Sequence, residues 1–236
     1  MAQHATWLGR LKASGLVPGA MCRCCGLPAA SALCEACCND FPMVHNTCVT
    51  CAARLAEAAP LCGHCLGSER YLSTLSAPYD YAFPLDKLLA QFKYQPDLSL
   101  LPALVVLLER AREKLPSAVD ALIPVPLHWS RQYQRGFNQA QMLARQMARQ
   151  TGLSMDAGLT KRIRKTPAQA SLPQKARERN VRDAFQVSAA VRGMRVCIVD
   201  DVVTTGATMN ALALALRAAG ARDVTGFALA RATGQV

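Results

Sequence analysis

The chain has 236 residues, 51% of them hydrophobic, and 27 Lys and Arg against 16 Asp and Glu, for a formal charge of +11. That allows a full core, suits one domain with an appendage or two small domains, and points to an anionic partner such as nucleic acid or a nucleotide-like ligand. The longest apolar stretch, Leu98 to Leu108, is broken by Ser99 and Pro102 and is too short for a bilayer, and no secretory signal is evident, so a cytoplasmic protein without membrane insertion is expected.

Residues 1–20 read as a short amphipathic helix with Trp7, Leu8, Leu11 and Leu16 on one side, suited to docking. Ten of the eleven cysteines lie between positions 22 and 65. Eight form CxxC pairs: Cys22/Cys25, Cys34/Cys37, Cys48/Cys51 and Cys62/Cys65. A CxxC turn holds two thiolates about one tetrahedral edge apart, and two turns complete a four-thiolate zinc site. The pairs fall as two consecutive ribbons, giving two structural Zn2+ ions and a small module that metal binding would fold. With eight thiolates and two Zn2+ ions counted, the net charge drops to about +7 and stays basic. Redox-active or merely buried thiols are the alternative. Cys24 and Cys38 adjoin the ligand candidates and are ambiguous, and His45 and His64 lack the pair spacing. A closed four-thiolate site has no open coordination position, so the module reads as structural or protein-binding.

A junction near residues 66–70 divides the chain into segments 1–70 and 71–236. Tyr79, Tyr81 and Phe83 alternate as in a strand over 71–83. Pro84 suits the first turn of a helix over Leu85 to Tyr94, and a nearly all-apolar helix is expected over Leu98 to Leu115. Asp120 to Pro126 reads as a buried strand that its prolines end. The loop behind it carries Arg131 and Arg135, and an amphipathic helix then runs to Gly152. In an open parallel sheet, ligands bind beyond the strand C-termini. The two arginines either clamp a pyrophosphate bidentately or form an ordinary solvated basic loop. Residues 161–182 are the most charged part, broken by Pro167 and Pro173, with Arg177 and Arg179 beyond the second proline. They read as a mobile basic lid, a nucleic-acid-facing arm or a plain linker. Ala184 to Val187 starts another strand.

The most informative stretch is Val196-Cys-Ile-Val-Asp200-Asp201-Val-Val-Thr204-Thr205-Gly206-Ala207-Thr208. Four apolar residues predict a buried strand ending at the acidic pair, and a small hydroxyl-rich turn leads into an Ala/Leu helix closing at Gly220. Amides at a helix N-terminus and the helix dipole face an anion, while Gly206 allows close approach. The carboxylates suit ribose hydroxyls or a Mg2+ riding on a polyphosphate. No Gly-Lys-Ser/Thr ending is present, which excludes a Walker-type loop. A final strand runs from Asp223 to Ala230.

This stretch resembles the 5-phosphoribosyl-1-pyrophosphate (PRPP) motif of the type I phosphoribosyltransferases. The resemblance implies that Asp200 and Asp201 hold the ribose diol and that Thr204, Thr205, Gly206, Ala207 and Thr208 wrap the 5′-phosphate. Together with the CxxC series, Pro124-Val-Pro-Leu-His128, Arg135-Gly-Phe-Asn-Gln139, Thr166-Pro-Ala-Gln169 with Leu172, Arg177 and Asn180, and Ala184-Phe185, it makes the chain similar to the ComF family over nearly its full length. That resemblance implies an α/β type I phosphoribosyltransferase fold, an open mostly parallel sheet flanked by helices, behind a double zinc ribbon. It further implies a role in DNA uptake beside a competence helicase and other transformation proteins. The reading built on it has PRPP and Mg2+ bound across the strand C-termini, Arg131 and Arg135 neutralising the pyrophosphate, and Arg177 and Arg179 closing over the site as a catalytic lid. The acceptor, and whether turnover occurs, stay open. The other reading is a non-catalytic adaptor that binds single-stranded DNA and keeps the PRPP site as a sensor or scaffold.

Overall fold

The structure is a computed structural model that describes residues 20–232 apart from 58, 68–69, 95–97, 130–131, 134–135 and 165–183. The helix expected over residues 1–20 lies outside the described residues, save Ala20 itself.

The cysteine-rich segment holds little regular structure. A two-stranded antiparallel ribbon pairs β1 (Ala20–Met21) with β2 (Pro28–Ala29), and two short helices come after it, α1 (Glu35–Asn39) and α2 (Gly63–Leu66). The segment is anchored on the larger part of the chain. Met43 bridges Tyr79, Val44 N–H donates to Pro78 O at 2.8 Å, and Leu75 N–H donates to Val49 O at 2.8 Å. Arg110 reaches back to Glu35 Oε1 at 2.9 Å and Asn39 Oδ1 at 2.7 Å. Leu33, Cys38 and Phe41 are buried in the same apolar cluster as Tyr79, Phe92 and Leu107.

The main sheet is wholly parallel. It is built from β3 (Leu75–Ser76), β4 (Tyr79–Asp80), β5 (Ala121–Pro124), β8 (Arg195–Val203) and β9 (Asp223–Arg231). Strand β9 lies between β8 on one side and β3 and β4 on the other, and β5 pairs with the far side of β8. Helices cover both faces, which is why β5 and β8 are continuous apolar runs rather than alternating ones. On one face α3 (Leu85–Tyr94), α4 (Leu101–Arg110) and α5 (Gln139–Thr151) bring Leu89, Leu107, Leu143 and Met147 against Leu122, Cys197, Val199 and Phe227. On the other, α6 (Ala207–Ala218) packs Leu212 and Leu216 against Ile123, Val196, Ile198 and Val224. A separate antiparallel pair, β6 (Thr160–Arg162) and β7 (Phe185–Val187), flanks the stretch 165–183.

Several boundaries differ from expectation. The strand expected over 71–83 is reduced to β3 and β4; Tyr79 is buried, but the next Tyr81 N–H meets Arg231 O, where β9 ends, and Phe83 is exposed. The helix expected over 98–115 is an α-helix only over Leu101–Arg110, with a 3-10 turn on each side, because Pro102 is tolerated only in a first turn. Pairing in β5 stops at Pro124. The strand expected to end at the acidic pair instead runs through it to Val203, since β9 continues alongside as far as Arg231. The charged stretch beginning at 161 starts as strand, and Arg162 is buried with its guanidinium 5.6 Å from the Phe185 ring centre. Cation–π attraction and an apolar stem let that side chain point inward, so Arg162 is not part of a solvated arm.

Candidate functional site

Strand alternation separates the two carboxylates. Cys197 and Val199 face the α3–α5 layer and Val196 and Ile198 the α6 layer. In step with these, Asp201 is buried toward α3, and Asp200 faces the loop that precedes α6. Asp200, Val202 and residues Val203 to Met209 line a concavity of about 40 Å³. Beyond Val199, which accepts the Val125 N–H at 2.8 Å, β5 no longer pairs with β8. Next to this break the carboxylates bond the backbone of their own strand: Asp200 Oδ1 accepts the Asp201 N–H and Asp201 Oδ1 the Val202 N–H, each at 2.9 Å.

The loop Thr204 to Thr208 is open to solvent, with Thr204 and Thr205 exposed. Gly206 has φ +78° and stands at the N-cap of α6. Thr205 Oγ1 accepts the Ala207 N–H at 3.3 Å, and the first bond along the helix runs from Asn210 N–H to Gly206 O at 2.9 Å. The amides of Thr208 and Met209 therefore precede the helical ladder at its positive end, where an anion is favoured.

Lys93, on α3, is a site residue that sequence reasoning missed. Its Nζ lies 2.9 Å from Asp201 Oδ2, an ion contact at hydrogen-bond distance without hydrogen-bond alignment. Burial works against the Lys93 ammonium, but the charge of Asp201, with that of Asp200 behind it, holds it above its ordinary range. Burial, then the Asp201 charge, push the Asp200 carboxyl well above its ordinary range. The signal in the sequence was the i, i+4 series Leu85, Leu89, Lys93, which puts a cation in line with a buried apolar stripe.

Among the other expected site residues, Arg131, Arg135, Arg177 and Arg179 lie outside the described residues. Asn138, three residues after Arg135 in sequence, caps α5 by accepting the Gln141 N–H and donates to Val125 O at 3.0 Å, which ties the start of α5 to β5.

The thiols form two groups, Cys22, Cys25, Cys34 and Cys37, and Cys48, Cys51, Cys62 and Cys65, with sulfurs within 4.8 Å of one another in each. Zn–S bonds of about 2.3 Å require tetrahedral edges of about 3.8 Å. The Cys25–Cys34 and Cys51–Cys62 sulfurs are 3.8 and 3.7 Å apart, so the donor sets fit zinc. Burial alone would raise the Cys22 thiol, yet backbone N–H groups of Cys25, Cys34 and Cys24 aimed at its sulfur bring it to about 6. Cys48 reaches about 6 in the same way, through the amides of Cys62, Cys51 and Thr50. Such amides stabilise the thiolate that metal binding needs. Cys24 and Cys38 belong to neither group. Cys24 is exposed, its thiol pushed up to about 11 by burial of the sulfur and the neighbouring Cys22 charge, and Cys38 packs in the core.

A parallel sheet covered on both faces, with an acidic pair running into an open glycine-bearing loop at a helix N-terminus, defines a type I phosphoribosyltransferase domain, here carried behind a double zinc-ribbon segment. The phosphoribosyl transferase domain family matches residues 135–233. The chain is 34% identical over 218 residues to competence protein F of Haemophilus influenzae, covering 86% of this chain and 92% of that one. It is 33% identical over 224 residues to DNA utilization protein YhgH of Salmonella typhi, covering 91% and 98%. With competence protein ComFC of Bacillus subtilis it shares 29% over 156 residues, covering 65% and 62%. The chain belongs to the ComF family. No helix among the described residues is long and apolar enough to cross a membrane.

Proposed function

We propose that the chain binds PRPP with Mg2+ at the C-terminal end of β8 and serves DNA uptake in natural transformation, as the names of its relatives suggest. The observation that carries this reading is the concavity that joins Asp200 to the unpaired amides of the α6 N-terminus. In it the loop Thr204 to Thr208 seats the 5′-phosphate. Asp200, with Asp201 beside it, orients the ribose hydroxyls. Arg131 and Arg135 neutralise the pyrophosphate, and Arg177 and Arg179 close over the site. Mg2+, carried on the pyrophosphate, supplies further charge neutralisation. Attack by an acceptor at the ribose carbon would then be promoted by positioning and electrostatics. Residues 1–70 form the metal-stapled unit, which docks a helicase or another transformation protein, and residues 71–236 the ligand-binding unit of a cytoplasmic protein.

A second reading is favoured by the lining itself, which among the described residues holds, besides Asp200, only apolar, glycine and threonine residues and so no evident general base. On it the PRPP site is a sensor and basic segments bind single-stranded DNA through phosphates.

Melting with PRPP and Mg2+ tests the first reading. Stabilisation that disappears in Asp200→Asn and Asp201→Asn is expected, and a wild-type protein indifferent to PRPP would overturn it. Pyrophosphate release with candidate acceptors distinguishes turnover from sensing. For the second, single-stranded DNA affinity across a salt series should fall in Lys161→Ala/Arg164→Ala and be untouched by the aspartate variants; Arg162 is left out because its side chain is buried.

A further inference from the structure

The ion pair behind the acidic strand has no good explanation in stability. Leu85 and Leu89 on α3 are fully buried, and Lys93 comes next on the same face. The side chains of Lys93 and Asp201 are only 20% and 9% exposed. Both lose hydration on folding, and two apolar side chains of similar volume would serve the core as well or better. What the pair does is hold Asp201 from a second direction. Oδ1 is fixed by the Val202 amide and Oδ2 by Lys93, while the Asp201 amide is fixed by Asp200 Oδ1. One cation on a helix thus constrains the backbone that aims Asp200 into the concavity.

We propose that Lys93 is a positioning residue for the sugar-phosphate seat, acting through Asp201 on the orientation of the acidic pair toward the diol of an anionic pentose phosphate. The proposal rests on the PRPP reading and deepens it: the seat selects for a sugar-bearing pyrophosphate over pyrophosphate alone, and Lys93 sets that selection. Groups facing the ammonium are Asp201 and Asp200 on β8 and Tyr81 after β4. A side chain that orients a binding group from behind is typically worth about tenfold or more in affinity.

The test uses the zinc-loaded full chain and measures affinity for PRPP–Mg2+ and for pyrophosphate–Mg2+ by calorimetric titration. A merely structural role lowers both affinities together. A positioning role lowers the ratio, and we expect the PRPP preference to fall about tenfold in Lys93→Met with pyrophosphate binding kept. Lys93→Arg, which keeps the charge, should recover most of it. Should Lys93→Met not fold, Lys93→Gln takes its place, with the same fall expected. An unchanged ratio in a folded neutral variant, or an arginine variant as poor as methionine, overturns the assignment of Lys93 and leaves the PRPP site standing. A wild-type protein with no preference for PRPP over pyrophosphate overturns the sugar seat itself, and Lys93 with it.

Discussion

Gly206→Ala isolates the backbone of the phosphate loop from its side chains. The residue has φ +78°, and a Cβ placed there would meet only Val203 Cγ1, at an ordinary 3.9 Å. No steric clash contributes, and no capping side chain is lost, because glycine caps α6 without one. The cost is that of forcing an L-residue into the left-handed region, about 1–2 kcal/mol. For a chain of this size that is a fall of about 2–8 °C in melting temperature. Gly206→Asn should lose less, since asparagine visits this region with the least penalty after glycine. Urea unfolding of the zinc-loaded protein should show a lower midpoint at unchanged m-value for alanine and an intermediate midpoint for asparagine. An alanine variant as stable as wild type, or an asparagine variant worse than alanine, would refute the loop conformation. In the alanine variant, stabilisation by PRPP should shrink as well, because the same strain disturbs the amides that face the phosphate.

Three further outcomes are expected. Asp200→Asn should raise the stability of the ligand-free protein at neutral pH: the folded carboxyl titrates above its unfolded value, so the wild type loses stability as pH rises through that window and asparagine does not. The advantage should vanish below about pH 4, near the ordinary carboxylate value, and an advantage independent of pH would contradict the raised titration of Asp200. Asp223 behaves oppositely. Burial would raise it, but hydrogen bonds from Ser73 and Arg217 prevail and hold it below its ordinary range. Its contribution is present above the unfolded value and lost as pH falls through the folded one. Because Arg217 and Asp223 are 33% and 38% exposed, Asp223→Asn should cost only about 1 kcal/mol or less at neutral pH and nothing in acid, as read from unfolding midpoints. Elemental analysis should find two zinc ions per chain, and Cys51→Ser should leave about one; an unchanged count would remove that thiol group as a site.

The parts legible in the sequence are those that local physics decides. The β-branched run at 196–199 and the Ala/Leu helix after Gly206 need no distant partner to be recognised. CxxC spacing likewise places two thiolates together, and consecutive pairing into two groups matched the structure. What was not legible depends on a tertiary partner. Lys93 looks like the polar end of an amphipathic helix until Asp201 is found against it, and Arg162 like part of a solvated arm until Phe185 lies under it. Whether β8 stops at its carboxylates or runs through them is set by the length of β9, nearly thirty residues downstream. That Cys24 and Cys38 stand outside both thiol groups was likewise settled by the tertiary arrangement rather than by spacing.

The backbone bonds between the cysteine-rich segment and β3 and β4 have a consequence for handling the protein. Asp80 N–H donates to Pro42 O at 2.9 Å, beside the Val44–Pro78 and Leu75–Val49 bonds, and all three lie between or within the thiol groups in sequence. The β3–β4 edge of the sheet is covered by the cysteine-rich segment, whose two thiol groups fit zinc, and a metal bound there would hold that cover in place. Stripping the metal should bare that rim of unsatisfied amides and carbonyls and invite neighbouring molecules to pair there. Chelated protein should therefore clump at concentrations where the metal-loaded form remains dispersed, well before its own sheet unravels.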